Sequence, residues 1–192
     1  VKLPHRGWGC TSWAYLPTVQ NGAVTFRVEQ YEAALDPVLL PGESALWIPD
    51  ASYMPGPVVT VDAPGRVLAV DELHGTMDAL LAGAVLFGYE DSLATTLRTA
   101  IDEAHHGGAD GELVVTDQRL IVLDSLMHGA RVIWECPRDA VVGARVTGGL
   151  GHAGRTVVVF SDGSGIVVLF GVIFRTGAEH FVAELSRSLE IT

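Results

Sequence analysis

From residue 111 onward, short apolar runs alternate with turn-forming residues, and the pattern predicts strands. They fall at 112–116, 119–124, 131–135, 141–147 and 155–160, with a last one from 165 to 170 or beyond. Between them lie Asp117-Gln118, His128-Gly129, Pro137-Arg138-Asp139, the glycine-rich stretch 148–154 and Ser161-Asp162-Gly163-Ser164. Repeats of about 8–14 residues with turn chemistry between them fit an antiparallel meander. The run 165–174 is apolar at every strand position, which suits a strand buried on both faces. Its tail, Val172-Ile173-Phe174, is a candidate subunit contact.

Other segments carry a helical period. Leu93, Leu97, Ile101 and Ala104 recur at four, four and three residues and draw one face of a helix over 91–104. Asp91 is placed to cap it, and Gly107-Gly108 to stop it. A helix this short is marginal alone, so Leu93, Leu97 and Ile101 need a surface to bury against and form a candidate partner interface. A closing helix starts with Thr176 and Glu179 in capping-box spacing, and Phe181, Val182, Leu185 and Leu189 form its apolar face. Residues 76–87 are one helix-length apolar run, weakened at Gly83.

The first third is less regular. Asn21-Gly22 predicts a type I′ hairpin between strands at 18–20 and 23–28. Trp8, Trp13 and Tyr15 precede it and are expected to pack on the domain. Proline and glycine punctuate 37–66, leaving room for short strands at 45–48, 58–61 and 66–70.

Composition adds limits. Hydrophobic residues are 48 % of the 192, enough for a sizeable core in one domain. The net charge is −11, and residues 1–110 hold 14 of the 23 acidic side chains against 5 basic ones. Such a surface repels nucleic-acid phosphates and anionic lipid headgroups. Cys10 and Cys136 are too few for a disulfide framework and are expected reduced, with a single pairing left open. The opening residues carry no secretory signal pattern, and no apolar run approaches the roughly 20 residues of a bilayer span. Together these features predict a cytoplasmic protein.

The candidate chemistry is sparse. Residues 149–154 spell GxGxxG, but a strand follows them, whereas a dinucleotide site needs a helix there. Asp102-Glu103-Ala104-His105 has no phosphate-binding loop to accompany it. His105, His106, Asp110 and Glu112 lack the spacing of a metal site, and His74 beside Asp71 and Glu72 is no clearer. Ser125 has no serine-hydrolase elbow, and Cys136 reads as a buried structural thiol. No cofactor, metal or catalytic residue is expected.

The most specific pattern is Gly111-Glu112-Leu113-Val114-Val115-Thr116-Asp117-Gln118-Arg119-Leu120, preceded by Pro41-Gly42-Glu43. It resembles the bacterial pleckstrin-homology-like domains, which are similar to GRAM domains. Their signature is a Gly-x-Leu-x-x-Thr-x-x-Arg-Leu hairpin after an early Pro-Gly-Glu, with Gly111, Thr116, Asp117, Arg119 and Leu120 as the motif positions here. The resemblance covers 111–190 well and 38–70 less well. It implies an α+β fold: a bent antiparallel sheet or barrel of about seven strands, capped by the C-terminal helix. Residues 1–36 would then be an N-terminal extension, 37–192 the domain, and 72–108 a helical insertion between its first two strands. Loops at 71–111, 125–130 and 161–165 would share the open end. The function expected is a non-enzymatic interaction module or homo-oligomer scaffold with a protein partner or self-association. A lipid or membrane-surface adaptor is the alternative, and a small metal-dependent or hydrolytic enzyme ranks third. Neither nucleic-acid nor anionic-membrane binding is expected.

Overall fold

A computed structural model describes residues 26–49, 51–53, 56–62, 70–106, 112–124, 130–148, 152–170 and 175–189. The order of elements is α1 (Phe26–Leu35), β1 (Ala45–Trp47), β2 (Ser52–Tyr53), β3 (Val58–Thr60), α2 (Val70–Leu81), β4 (Leu86–Gly88), α3 (Leu93–His106), β5 (Glu112–Thr116), β6 (Arg119–Leu123), β7 (Val132–Pro137), a 3-10 turn (Arg138–Ala140), β8 (Val141–Val146), β9 (Arg155–Phe160), β10 (Gly165–Leu169) and α4 (Thr176–Leu189). The fold is α+β, with two mostly antiparallel sheets and a C-terminal helix. One sheet runs β1-β5-β6-β7. The other runs β3-β4-β10-β9-β8, with β2 also paired to β10.

The period of two in the strands separates two sets of side chains. Leu113, Val115, Leu120 and Val122 point from the first sheet into the main core, and Val158, Phe160, Ile166 and Val168 reach it from the second. Their neighbours point outward. Val114, Ile121 and Leu123 are covered by α1 through Leu35, Val28 and Tyr31. Val157, Val159 and Val167 are covered by α2 through Leu80 and Met77. Both faces of the central strands β5, β6, β9 and β10 are therefore buried, which is why these strands read as continuous apolar runs.

The main core also takes in two helices. Leu97, Ala100, Ile101 and Ala104 of α3 and Ala178, Phe181 and Leu185 of α4 belong to it. Leu97 is 1 % exposed and Ile101 3 %. Each buried aliphatic side chain contributes about 2 kcal/mol. Phe181 stacks on Phe170 with ring centroids 4.4 Å apart and lies 6.3 Å from Trp47, so α4 is held by the end of β10 and by β1.

Several expectations are corrected. Residues 26–28 begin α1 and are not the second strand of a hairpin: the apolar positions Val28, Tyr31 and Leu35 join Ile48, Val114, Ile121 and Leu123 in one cluster, with α1 beside β1. The rest of that hairpin, with Trp8, Trp13, Tyr15 and Cys10, lies outside the described residues. The apolar run 76–87 is not one helix. Helix α2 ends at Leu81, Gly83 adopts φ +121° where a helix cannot continue, and β4 follows. Val70 opens α2 and does not close a strand; 66–69 lie outside the described residues, as do Gly107-Gly108, Gly111, 125–129 and Val172-Ile173-Phe174.

Candidate functional site

The Thr116-x-x-Arg119 motif forms the turn between β5 and β6. The single hydroxyl proton of Thr116 is best used toward the Glu43 carboxylate, at 2.6 Å, since a charged acceptor gives the stronger bond. The same oxygen accepts the backbone N–H groups of Gln118 (3.1 Å) and Arg119 (2.8 Å), which closes the turn on itself. Asp117 accepts the N–H of Ser44 at 2.9 Å and so joins the turn to β1.

Arg119 completes the arrangement. Its Nε and Nη2 reach Glu43 Oε1 and Oε2, each at 2.9 Å, and Nη2 also donates to the carbonyl of Val38 at 2.8 Å. Nη1 pairs with Glu135 on β7. Glu43 further accepts the N–H of Leu40 at 2.7 Å. Burial alone raises the Glu43 carboxyl. The hydrogen bonds from Arg119, Leu40 and Thr116, with the guanidinium charge, outweigh it and hold Glu43 below its ordinary value. The Glu43 bonds raise Arg119 against the opposing effect of burial. From sequence, Asp117, Glu112 or another acid across the sheet could pair with Arg119; the partners are Glu135, across the sheet on β7, and Glu43, ahead of β1. Arg138, nearly buried, extends the network: it donates to the Thr116 carbonyl at 2.7 Å and to the Glu184 carbonyl of α4.

A second polar cluster lies at the turn between β9 and β10. Asp162 Oδ2 accepts the N–H of Leu93 at 2.7 Å, and Ser164 Oγ accepts that of Ala94 at 3.0 Å. The open N–H groups at the start of α3 thus find acceptors some 70 positions away in sequence, and the carboxylate also faces the positive end of the helix. Ser92, not Asp91, is the local cap: its carbonyl accepts Thr96 N–H at 2.9 Å and its hydroxyl accepts Thr95 N–H at 3.3 Å. Thr76 of α2 donates to the Gly163 carbonyl at 2.6 Å. Gly165 lets α2 approach, since a Cβ there would sit 2.6 Å from Leu80 Cδ1. Both helices of the 72–108 segment are therefore fastened to one four-residue turn. The Tyr89 hydroxyl lies 3.5 Å from Asp162; burial, then the Asp162 charge, raises it. No feature of the sequence marked Asp162 or Ser164 beyond a turn.

The other candidates are placed as follows. Cys136 is a buried free thiol, pushed up to about 12 by burial, so the nucleophilic thiolate is suppressed at neutral pH. Glu112 is buried on β5, and His74 is exposed on α2. Among the described residues no group of three or more His, Cys, Asp or Glu is placed to hold a metal ion. The GxGxxG stretch joins antiparallel β8 to β9. Leu97 and Ile101, offered above as a partner interface, are used up inside the chain, and Leu93 packs against the same core. Thr95, Arg98, Thr99, Asp102 and Glu103 line a shallow, open depression on the outer side of α3. No helix among the described residues is long and apolar enough to cross a membrane. Comparison with known protein families, with curated proteins and with solved structures finds no match for this chain.

Proposed function

We propose that this chain is a cytoplasmic interaction module of pleckstrin-homology-like design, without catalytic activity, that works by binding a protein partner or further copies of itself. The family part of this reading is supported by the meeting of Glu43, Thr116 and Arg119, three signature positions from two distant segments, in one network. The succession from β5 to β10 and α4 follows the order the resemblance implies.

The observation that carries the functional part is the use made of the reactive and charged groups. Glu43 and Arg119 lock a turn, Asp162 and Ser164 hold a helix end, and Cys136 is sealed in the core. These described groups serve the fold. Recognition by the outer surface is the work that such a scaffold leaves open. Reversible crosslinking in the native cell, followed by light scattering of the purified chain with each captured protein, tests this. The reading expects a complex of defined stoichiometry, or a stable homo-oligomer of the chain alone. A monomer that forms no complex with any captured protein overturns it.

A further inference from the structure

We propose that β3 is a docking edge for an extended basic segment of a partner protein, which adds to the second sheet as a further strand. This rests on the interaction reading above and names its surface. Besides the two-residue β2 beside β10, the sheet paths end in four strands, β1 and β7, β3 and β8, and three of the four are blunted. Strand β1 has an irregular register between Ala45 and Trp47, and β8 has another between Val141 and Gly143. Strand β7 carries Glu135 and ends in Pro137, besides packing on α3. Bulges, charges and prolines are the devices that keep an edge from recruiting another chain.

Strand β3 is short and follows Pro57, but its own three residues carry no bulge, charge or proline. Its parallel pairing with β4 runs without a shift from Val58↔Leu86 to Thr60↔Gly88, and its residues are Val, Val and Thr. Among the described residues β4 is its one strand neighbour. Val58 is 44 % exposed, Val59 36 %, and Thr60 is also exposed. Successive residues of a strand point to opposite faces, so both faces of the sheet are open here. Main-chain groups along such an edge supply affinity, and the alternate side chains supply selection.

Charge decides between occupants. The Val61 N–H bonds the Gly88 carbonyl at 3.0 Å, which brings the chain after β3 beside the segment after β4. Asp62, Glu90 and Asp91 are all exposed at this end. A second copy would bring the same acids and the same net charge of −11. A segment with β-branched residues next to lysine or arginine complements both the apolar strand and its acidic end.

The probe is a fluorescent peptide, Lys-Arg-Val-Thr-Val-Thr-Val, titrated by anisotropy with the full chain. The expected result is saturable binding, weakened at least about tenfold when the two basic residues are exchanged for glutamate or in the V58K/V59K variant. Both substitutions sit on exposed positions, and an unchanged melting curve for the variant confirms its fold. Absence of saturable binding overturns the proposal. So does binding that V58K/V59K leaves intact, although the interaction reading then stands with another surface. A wild-type dimer that the variant returns to monomer assigns the edge to a second copy and overturns the basic segment. Failure of the interaction reading itself shows separately, as a chain without partners in the crosslinking experiment.

Discussion

Arg119 grips both carboxylate oxygens of Glu43, a side chain with no exposed surface of its own, while the Arg119 side chain is itself only 11 % exposed. Removing the guanidinium leaves a buried carboxylate without its counter-charge. Arg119→Ala is expected to cost about 3 kcal/mol, and Arg119→Lys to recover only part, because an ammonium cannot reproduce the two-pronged contact. Urea unfolding measures both. An Arg119→Ala midpoint equal to that of the parent removes the structural role assigned to this pair.

The same pair sets an acid limit. Glu43 is held below its ordinary value of 4.5 in the fold, so folding favours the ionised form. Its contribution is complete above the unfolded value and is lost as pH falls through the lowered folded one. Stability should therefore be insensitive to this group near neutrality and decline in acid below about pH 4.5. Glu43→Gln should be less stable at neutral pH and show a shallower acid decline. A parallel decline in parent and variant would place the acid sensitivity elsewhere.

Helix α3 gives the most severe case. Leu97 is 1 % exposed in the core between the sheets. Leu97→Ala is expected to lose about 3 kcal/mol, and Leu97→Asp, which buries a charge, to prevent folding. Near-ultraviolet circular dichroism reads the outcome, and a native spectrum for the aspartate variant contradicts the packing described.

How far the sequence disclosed this fold follows from what each element depends on. The hairpin β5–β6 and the buried face of α3 were legible because their periods are set by the local chain. Helix α1 was not: Phe26-Arg27-Val28 follow Asn21-Gly22 and suit a strand, whereas tertiary packing puts Val28, Tyr31 and Leu35 in one cluster with Ile48, Val114, Ile121 and Leu123. The break between α2 and β4 was hidden in one apolar run, because both pieces are buried and periodicity cannot separate them. In the candidate site, the motif showed that Thr116 and Arg119 matter, and Pro41-Gly42-Glu43 was noticed, yet nothing local joined Glu43 to Arg119. The role of Asp162 depends on a helix about 70 residues away and left no trace in its own neighbourhood.

That distant contact has its own consequence. Asp162→Ala removes the acceptor for Leu93 N–H and a partner of Ser164, whose N–H and hydroxyl donate to it at 2.9 and 2.6 Å. A lost cap costs about 1–2 kcal/mol. Hydrogen exchange should quicken at the start of α3 more than in β5 and β6. Equal acceleration throughout the chain would show that the turn does not fasten this helix in particular.

The proposed function is protein contact and not lipid binding. Asp78, Glu90 and Asp91 are exposed on the segment fastened to the β9–β10 turn, the end that the resemblance would give to lipid, where clustered lysine or arginine would be needed. Each such basic residue adds about 1 kcal/mol near an anionic surface, and acidic ones oppose it. Sedimentation with vesicles containing phosphoinositides at physiological salt tests the choice most directly. The account predicts that the chain stays in the supernatant; salt-sensitive recovery in the lipid pellet would contradict it and put the membrane adaptor first.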